Sequence, residues 1–158
     1  MPGPQERVIR RATARDIPAC VRLWEEMWTL HRGLDARYEV TPVAPQVMAA
    51  WIDERIDDPR SVVLVAGDPP AGYVLGMILE NPPIVPWQFY GHISEMSVTA
   101  AERRRGTGGK LLIAAHAWFK ERGCAYVEAQ VSVRNAMSRA FWRKHGYTDF
   151  IERLRLEL

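Results

Sequence analysis

Apolar side chains recur along this chain with two alternating periods, one typical of helices and one typical of strands. After a short strand predicted at residues 7–11, four large side chains follow at intervals of four, three and four residues, which predicts a buried stripe on a helix. These side chains are Ile17, Val21, Trp24 and Trp28. Thr13 is the predicted N-cap of this helix, with Asp16 at its third position. A second helix is predicted to begin at Pro45 and to end around residues 57–59.

The middle of the chain has the pattern of strands. Ser61–Ala66 is a continuous apolar run of the kind found in buried strands, and residues 73–79 form a second such run. Residues 67–72 between them contain two glycines and two prolines, which predicts a tight turn and an antiparallel hairpin. Residues 81–86 contain three prolines and are predicted to be irregular. A further strand then ends at Val98.

The last third of the chain alternates between helix and strand. A helix is predicted to follow the glycines near residue 106 and to continue to about residue 122, and residues 125–131 are a predicted strand. Asn135 is predicted to cap a short helix over residues 136–145. Residues 147–158 are predicted to supply the final strand.

This order of elements predicts one mixed α/β domain with three layers over residues 1–158. The composition, 47% hydrophobic and 25% charged residues, is that of a soluble globular protein, and the net charge of +2 favours no nucleic-acid partner. No signal peptide and no run of about 18 apolar residues is found, so we expect a cytoplasmic protein without membrane contact. Cys20 and Cys124 form no cluster that predicts a metal site or a disulfide framework.

Residues 92–112 carry the strongest chemical signal, a strand followed by a turn rich in arginine and glycine and then a helix. Glycine lets backbone N–H groups approach a bulky anion, and a helix N-terminus adds unpaired N–H groups and the positive end of the helix dipole. Cations surround this turn, at Arg103, Arg104, Arg105 and Lys110. The turn is therefore predicted to bind a polyphosphate.

Two common phosphate-binding motifs are excluded by Leu111. The Walker P-loop requires Ser or Thr at this position, and the dinucleotide-binding fingerprint G-x-G-x-x-G requires Gly. The phosphate-binding pattern that the sequence does match is R-x-x-G-x-G, formed by Arg103, Gly106 and Gly108. A second motif lies downstream at residues 135–147, with the form N-x-x-S-x-x-F-W-x-K-x-G-Y. Together the two motifs and the order of elements resemble the GNAT-type N-acetyltransferases over nearly the whole chain. The resemblance is weakest over residues 14–60.

The resemblance implies a three-layer α/β fold of the α+β type. Its mixed, mostly antiparallel sheet has six or seven strands and is flanked by about four helices. It also implies that the strand ending at Val98 and the strand that begins near residue 125 splay apart, so that acetyl-CoA enters the cleft as a cosubstrate. Backbone groups near Val98 would hydrogen-bond the pantetheine arm like an added strand.

Other contacts with acetyl-CoA are implied by the same resemblance. The loop N–H groups expected to hold the pyrophosphate belong to Arg104, Arg105, Gly106, Thr107, Gly108 and Gly109. Arg103, Arg104 or Lys110 would meet the 3′-phosphate. Asn135 would reach the pantetheine arm, and Trp142 would lie along it near the thioester. Many relatives have at position 142 a Tyr that protonates the leaving thiolate. The indole of Trp142 has no useful acidity. Either water or Tyr147 protonates the thiolate instead, or the thiolate leaves without a dedicated acid.

The implied reaction is direct attack of a primary amine, from a small molecule or a peptide, on the thioester in a ternary complex. Glu95 and His92 on the central strand are the two candidate bases. Two other functions stay open, a non-catalytic acyl-CoA-binding or regulatory module on the same fold and a nucleic-acid contact through the arginines of the turn. The wider sequence lacks the basic surface for the latter. A homodimer is compatible with the resemblance, because dimers are common in such families.

Overall fold

A five-stranded sheet separates two helical layers in the computed structural model of this protein, which describes residues 7–158. The strands, in both chain and sheet order, are β1 (Ile9–Arg11), β2 (Ser61–Ala66), β3 (Gly72–Glu80), β4 (Phe89–Val98) and β5 (Val127–Ala129). The first three pairs of neighbours are antiparallel, whereas β4 and β5 are parallel. The helices are α1 (Ile17–Leu34), α2 (Ala44–Ile56), α3 (Thr107–Glu121) and α4 (Ala136–Lys144).

Each face of the sheet has its own hydrophobic core. On one face, Val63 and Val65 of β2 pack with α1 and α2, and on the other, Val62 and Leu64 pack with α3 and α4. All six residues of β2 are buried, which explains why this strand reads as an unbroken apolar run rather than an alternating one.

A buried ion pair fixes the start of α1. Asp16 is 2% exposed and accepts hydrogen bonds from both terminal nitrogens of Arg10, at 2.7 and 2.8 Å, and from the N–H of Thr13 at 2.8 Å. These donors hold the pKa of the Asp16 carboxyl well below its usual range. The predicted cap is therefore present in part, but a short 3-10 turn, Ala14–Asp16, precedes the helix, which begins at Ile17.

The register between β3 and β4 shifts by one residue in the middle of β4. Gly76 pairs with Ile93 and Leu75 pairs with Glu95, so Ser94 is an extra residue in β4, that is, a β-bulge. Before the bulge, Ile93 packs in the core under α3. After it, residues 95 and 97 have changed face, because Ser97 lies opposite Tyr73 of the α1 core and donates to the carbonyl of Leu23 in α1 at 2.9 Å.

The predicted architecture is confirmed in its class, its mostly antiparallel sheet and its four helices, but the strand count is wrong. Five strands form rather than six or seven, because residues 147–158 adopt no secondary structure. Among residues 7–158, no backbone hydrogen bond supports residues 148–158 as a strand. The alternation that predicted a strand is real, yet the segment has no described neighbour to pair with.

The ring of Phe119 on α3 leads to a prediction about packing. It is 1% exposed and lies so close to the sheet that a Cβ added at Gly76 would be 2.6 Å from its Cζ. We expect Gly76→Ala to lower the free energy of unfolding by about 1–3 kcal/mol, through overpacking, although alanine suits a strand better than glycine. Urea unfolding measures this loss.

The matched control is Gly33→Ala in α1, where an added Cβ meets nothing within 4 Å. This variant should be as stable as the wild type or more stable by up to about 1 kcal/mol. Equal stability of Gly76→Ala and the wild type would contradict the packing described for Phe119.

Candidate active site

The cleft begins where β4 and β5 separate. The two strands pair at three positions, of which the last is Ile93 with Ala129. Residues 94–98 of β4 continue beyond this point with β3 on one side, and no strand within residues 7–158 pairs with their other side. An unpaired strand edge offers N–H and C=O groups to an extended ligand, as an added strand would use them. The bulge at Ser94 lies at the same point. The residues of β4 therefore change face where this strand separates from β5.

The loop that is predicted to bind a polyphosphate follows the open edge. β4 ends at Val98, a 3-10 turn covers Ala100–Glu102, and α3 begins at Thr107. Gly106 has a φ of +83° and Arg104 a φ of +64°, so the chain enters the helix through two left-handed residues. The N–H groups of residues 106–109 donate to no backbone carbonyl within residues 7–158. They point out of a helix N-terminus, where the helix dipole favours negative charge.

The three arginines of the loop have different surroundings. Arg103 donates to the carbonyl of Val98 at 3.3 Å and pairs with Glu26 of α1 at 3.2 Å. Glu26 also accepts the N–H of Ala100 at 3.0 Å, so this pair holds the end of β4 against α1. The side chains of the other two, Arg104 and Arg105, are exposed, and Arg105 lies 4.0 Å from the carboxylate of Glu102.

Gly108 and Gly109 bring the start of α3 against α4. A Cβ added at Gly108 would lie 3.3 Å from the ring of Phe141, and one added at Gly109 would lie 3.0 Å from Nε2 of His145. The absence of side chains therefore serves the packing of two helices as well as access to the backbone. Sequence reasoning assigned these glycines to access alone.

Glu95 and His92, the two candidate bases, face the same side of the sheet. His92 pairs with Met77 and Glu95 with Leu75, and both of these β3 residues face the core of α1 and α2. Glu95 is half-buried, and burial raises the pKa of its carboxyl to about 7. Burial lowers the pKa of His92. The carboxyl of Glu95 is thus suited to exchange a proton near neutral pH, whereas the shift of His92 favours its neutral form.

Tyr73 is a feature of this site that the sequence did not reveal. Its side chain is fully buried and lies on the same face as Glu95, two residues before Leu75 in β3. Its hydroxyl has no hydrogen-bond partner within residues 7–158. Burial, with the nearby Glu95 carboxylate, raises the pKa of this phenol well above its usual value. Its position follows from the shifted register of β3 and β4, which no pattern in the sequence predicts.

The second motif, residues 135–147, forms α4 and contacts α1 through Asn135. Asn135 is 5% exposed, and its Oδ1 accepts the N–H of Ser138 at 3.0 Å as the predicted helix cap. Its Nδ2 lies 3.4 Å from Nε2 of His31. Trp142 is 8% exposed, and its indole N–H donates to the hydroxyl of Ser138 at 3.2 Å. Both side chains thus hold α4 in place, and their contact with a ligand stays a prediction.

Tyr147 lies at the end of this motif, against Trp142 with 4.8 Å between ring centroids. Its hydroxyl is 2.7 Å from Nε2 of His116 on α3. Burial raises the pKa of the Tyr147 phenol and lowers the pKa of His116. The pair joins the end of α4 to the middle of α3.

Other site types were not found in the part of the chain that the structure describes. Residues 7–158 contain no group of three or more His, Cys, Asp or Glu side chains placed to hold a metal ion. Within the same residues, no helix is both long enough and apolar enough to cross a membrane.

The parallel strands β4 and β5 separate beside the glycine-rich start of α3. This arrangement is that of an α+β protein with a cleft suited to an extended, phosphate-bearing ligand. The model of the Acetyltransferase (GNAT) family matches residues 19–147, and the chain belongs to this family. The resemblance seen in the two sequence motifs is therefore confirmed. No curated protein matches the chain.

Solved structures share the fold at low sequence identity. A transcriptional regulator from Bacillus halodurans is 20% identical with a TM-score of 0.77, and the match covers 96% of this chain and 99% of that one. A predicted acetyltransferase with acetyl-CoA from Clostridium acetobutylicum is 17% identical, with a TM-score of 0.77 and 96% of each chain covered. The aminoglycoside N-acetyltransferase AAC(6′)-Iy in complex with CoA is 15% identical, with a TM-score of 0.80 and 100% and 98% coverage.

The raised pKa of Glu95 leads to a prediction about stability. The folded carboxyl keeps its proton between its ordinary pKa of 4.5 and about 7, so this group lowers stability as the pH rises through that window. Glu95→Gln removes the cost of burying the charge. We expect this variant to be more stable than the wild type at pH 8.5, with the difference shrinking toward pH 5, in urea unfolding at both pH values.

Glu121→Gln, an exposed carboxylate at the end of α3, is the control and should show the same small difference at both pH values. A Glu95→Gln effect that does not depend on pH would show that the carboxyl is solvated in the folded protein.

Proposed function

We propose that this protein is an acetyl-CoA-dependent N-acetyltransferase that moves the acetyl group directly to a primary amine of a small molecule or peptide. One observation carries the proposal. The unpaired edge of β4 at residues 94–98 leads straight into the loop whose amides, at residues 106–109, start α3. An extended arm followed by a diphosphate has this same order of polar groups, and coenzyme A has both parts.

The residues present fit acetyl-CoA. The edge of residues 94–98 would pair with the amides of the pantetheine arm, and the N–H groups of residues 106–109 would hold the pyrophosphate. Arg104 and Arg105, whose side chains are exposed, would neutralise phosphate charge. When bound, acetyl-CoA supplies the thioester carbonyl that an amine attacks.

Glu95 is our proposed base. Amine attack on a thioester needs no covalent enzyme intermediate, but the nitrogen must lose a proton, and a base with a pKa near the working pH accepts it best. Burial raises the pKa of Glu95 to about 7, and the bulge at Ser94 turns its side chain to the α1 face of the cleft. His92 on the same face is the second candidate, because burial favours its neutral form.

No side chain of the second motif is suited to protonate the leaving thiolate. The indole N–H of Trp142 is bonded to Ser138 and lacks acidity. The hydroxyl of Tyr147 is hydrogen-bonded to His116, and burial raises the pKa of this phenol. We therefore propose that the thiolate leaves unassisted and takes its proton from water. A simple thiol has a pKa of about 8.5, so its anion is a tolerable leaving group.

The acceptor is proposed to be a small molecule with a primary amine. The aminoglycoside acetyltransferases among the structures of the same fold support this class. An aromatic group near the end of α1 offers a surface for such a molecule, since Tyr38 lies 5.3 Å from Trp28 and 5.0 Å from His31 between ring centroids. A second aromatic group is less suited to this role, because its members Trp87 and Tyr90 pack against Tyr126.

A second candidate function is a non-catalytic acyl-CoA-binding regulatory module. Two observations favour it, the transcriptional regulator among the structures of the same fold and the lack of a Tyr at position 142. A regulatory module would bind acetyl-CoA through the same loop but would release no free thiol when amines are added.

Thiol release therefore tests the proposed reaction. With acetyl-CoA and a panel of primary amines, we expect thiol release whose kcat rises with pH through about 7 and then levels, because Glu95 must lose its proton to act as the base. Glu95→Gln should lower kcat and abolish this inflection. Acetyl-CoA binding without thiol release for any amine would favour the regulatory module. An increase in the amine KM alone would assign Glu95 to binding.

Calorimetry tests the loop. We expect replacement of Arg104 and Arg105 by Ala to weaken acetyl-CoA binding by roughly tenfold or more for each cation, because a charge-assisted hydrogen bond contributes about 1.5–3 kcal/mol. Lys120→Ala, an exposed cation at the other end of the same helix, is the control and should bind as the wild type does. Equal affinity of the Arg variant and the control would contradict our assignment of the phosphates to this loop.

A further inference from the structure

The end of α1 carries two guanidinium groups beside one buried carboxylate. The side chain of Asp35 is 9% exposed, and its Oδ2 accepts from Arg37 at 2.6 Å and lies 3.6 Å from Nε of Arg134. The hydrogen bonds from Arg37 hold the pKa of this carboxyl well below its usual range, so Asp35 keeps its charge. Glu157, whose charge also acts on Arg37, is paired with Arg155 at 2.7 Å. One positive charge is therefore left uncompensated at this place.

The same two guanidinium groups keep hydrogen-bond donors free. Arg37 uses Nε and Nη2 on Asp35, and Arg134 donates from Nη1 to a backbone carbonyl at 3.5 Å. Within residues 7–158, Nη1 of Arg37 and Nη2 of Arg134 donate to no atom, and the two side chains are 45% and 56% exposed. The other charged residues of this segment, Arg32 and Glu39, are exposed and opposite in sign. Free guanidinium N–H groups are the donors that a carboxylate binds most strongly.

A row of aromatic side chains leads from this charge to the face of Glu95. Tyr38 follows Arg37 directly in the chain, and its ring centroid lies 5.3 Å from that of Trp28. Trp28 in turn lies 5.8 Å from Trp24, which belongs to the core on the same face of the sheet as Glu95. Among residues 7–158, the buried indole N–H of Trp28 has no hydrogen-bond partner. The row thus offers apolar surface together with an N–H group that lacks an acceptor.

We infer that the acceptor is a primary amine with an aromatic body and a carboxylate, and that Arg37 and Arg134 bind the carboxylate. The amine then lies toward Glu95, at the inner end of the aromatic row. A polycation such as an aminoglycoside would meet the two guanidinium groups and would find the oxygens of Asp35 already bonded. One carboxylate matches a surplus of one charge, whereas a phosphate carries about −1.5 to −2. The inference rests on the proposed acetyl transfer and names its substrate class.

Matched pairs of amines test this inference. L-Phenylalanine and phenethylamine differ by one carboxylate, as do 4-(aminomethyl)benzoic acid and benzylamine. We expect kcat/KM for the acid of a pair to exceed that of its neutral partner by about tenfold or more, because charge-assisted hydrogen bonds form to the carboxylate alone. Arg134→Gln should lower this ratio by about tenfold, and Arg134→Glu, which makes the local charge negative, should bring it below one.

Arg134 is the residue to vary, because Arg37 still pairs with the buried Asp35 when Arg134 is replaced. Lys144→Gln removes an exposed cation at the far end of α4, and this control should keep the wild-type ratio. A ratio near one for both pairs in the wild type, or equal ratios in Arg134→Gln and Lys144→Gln, would overturn the inference. Faster turnover of kanamycin than of either acid would overturn it as well.

A binding measurement separates this inference from the proposed reaction. 3-Phenylpropanoate has the aromatic body and the carboxylate but no amine, so calorimetry detects the site without acetyl transfer. We expect it to bind the wild type about tenfold or more tightly than Arg134→Gln. If this difference is found while no amine is acetylated, the carboxylate site is supported and the proposed acetyl transfer fails. If 3-phenylpropanoate binds both proteins equally or binds neither, the inference fails, whatever the activity toward amines.

Discussion

The extra residue at Ser94 is the constraint on which the candidate site depends. A strand of period two would present Glu95 and Ser97 to the same face as Ile93, under α3. The bulge reverses this order, so that Glu95 lies over Leu75 on the face of α1 and Ser97 bonds Leu23. It also coincides with the end of pairing between β4 and β5. One inserted residue thus lies where the strand edge becomes unpaired and places the carboxyl of Glu95 on the face of α1.

The electrostatics of the site follow from the course of β4, which runs from the protein interior to the loop at the surface. Glu95 is half-buried beside the apolar core of α1, which raises its pKa, whereas the cations of the loop lie at the end of the same strand on the surface. Glu26 neutralises Arg103 and fixes it against Val98, so three adjacent arginines do not all compete for one ligand. Residues 95–103 therefore hold the proposed base and the proposed phosphate-binding loop at a fixed separation.

Much of this fold was predictable because its local signals agree with its packing. The two-sided burial of β2, the stripe of α1 and the Asn135 cap of α4 all follow from residue type and spacing. The bulge was not predictable, since Ser94 has no side chain that demands it and the shift results from pairing with β3. For the same reason the position of Tyr73 was hidden. The last strand was wrongly predicted because alternation reports a strand's faces but cannot report whether a partner exists.

The short helix α4 connects the loop before α3 to residues 148–158, the C-terminal tail. A helix of nine residues is marginal alone, so its position depends on contacts at both ends. Asn135 caps its start and reaches His31, Phe141 and His145 pack against the glycines of the loop, and Arg143 binds Asp149 of the tail. This one helix therefore joins the loop before α3 to α1 and to residues 148–158.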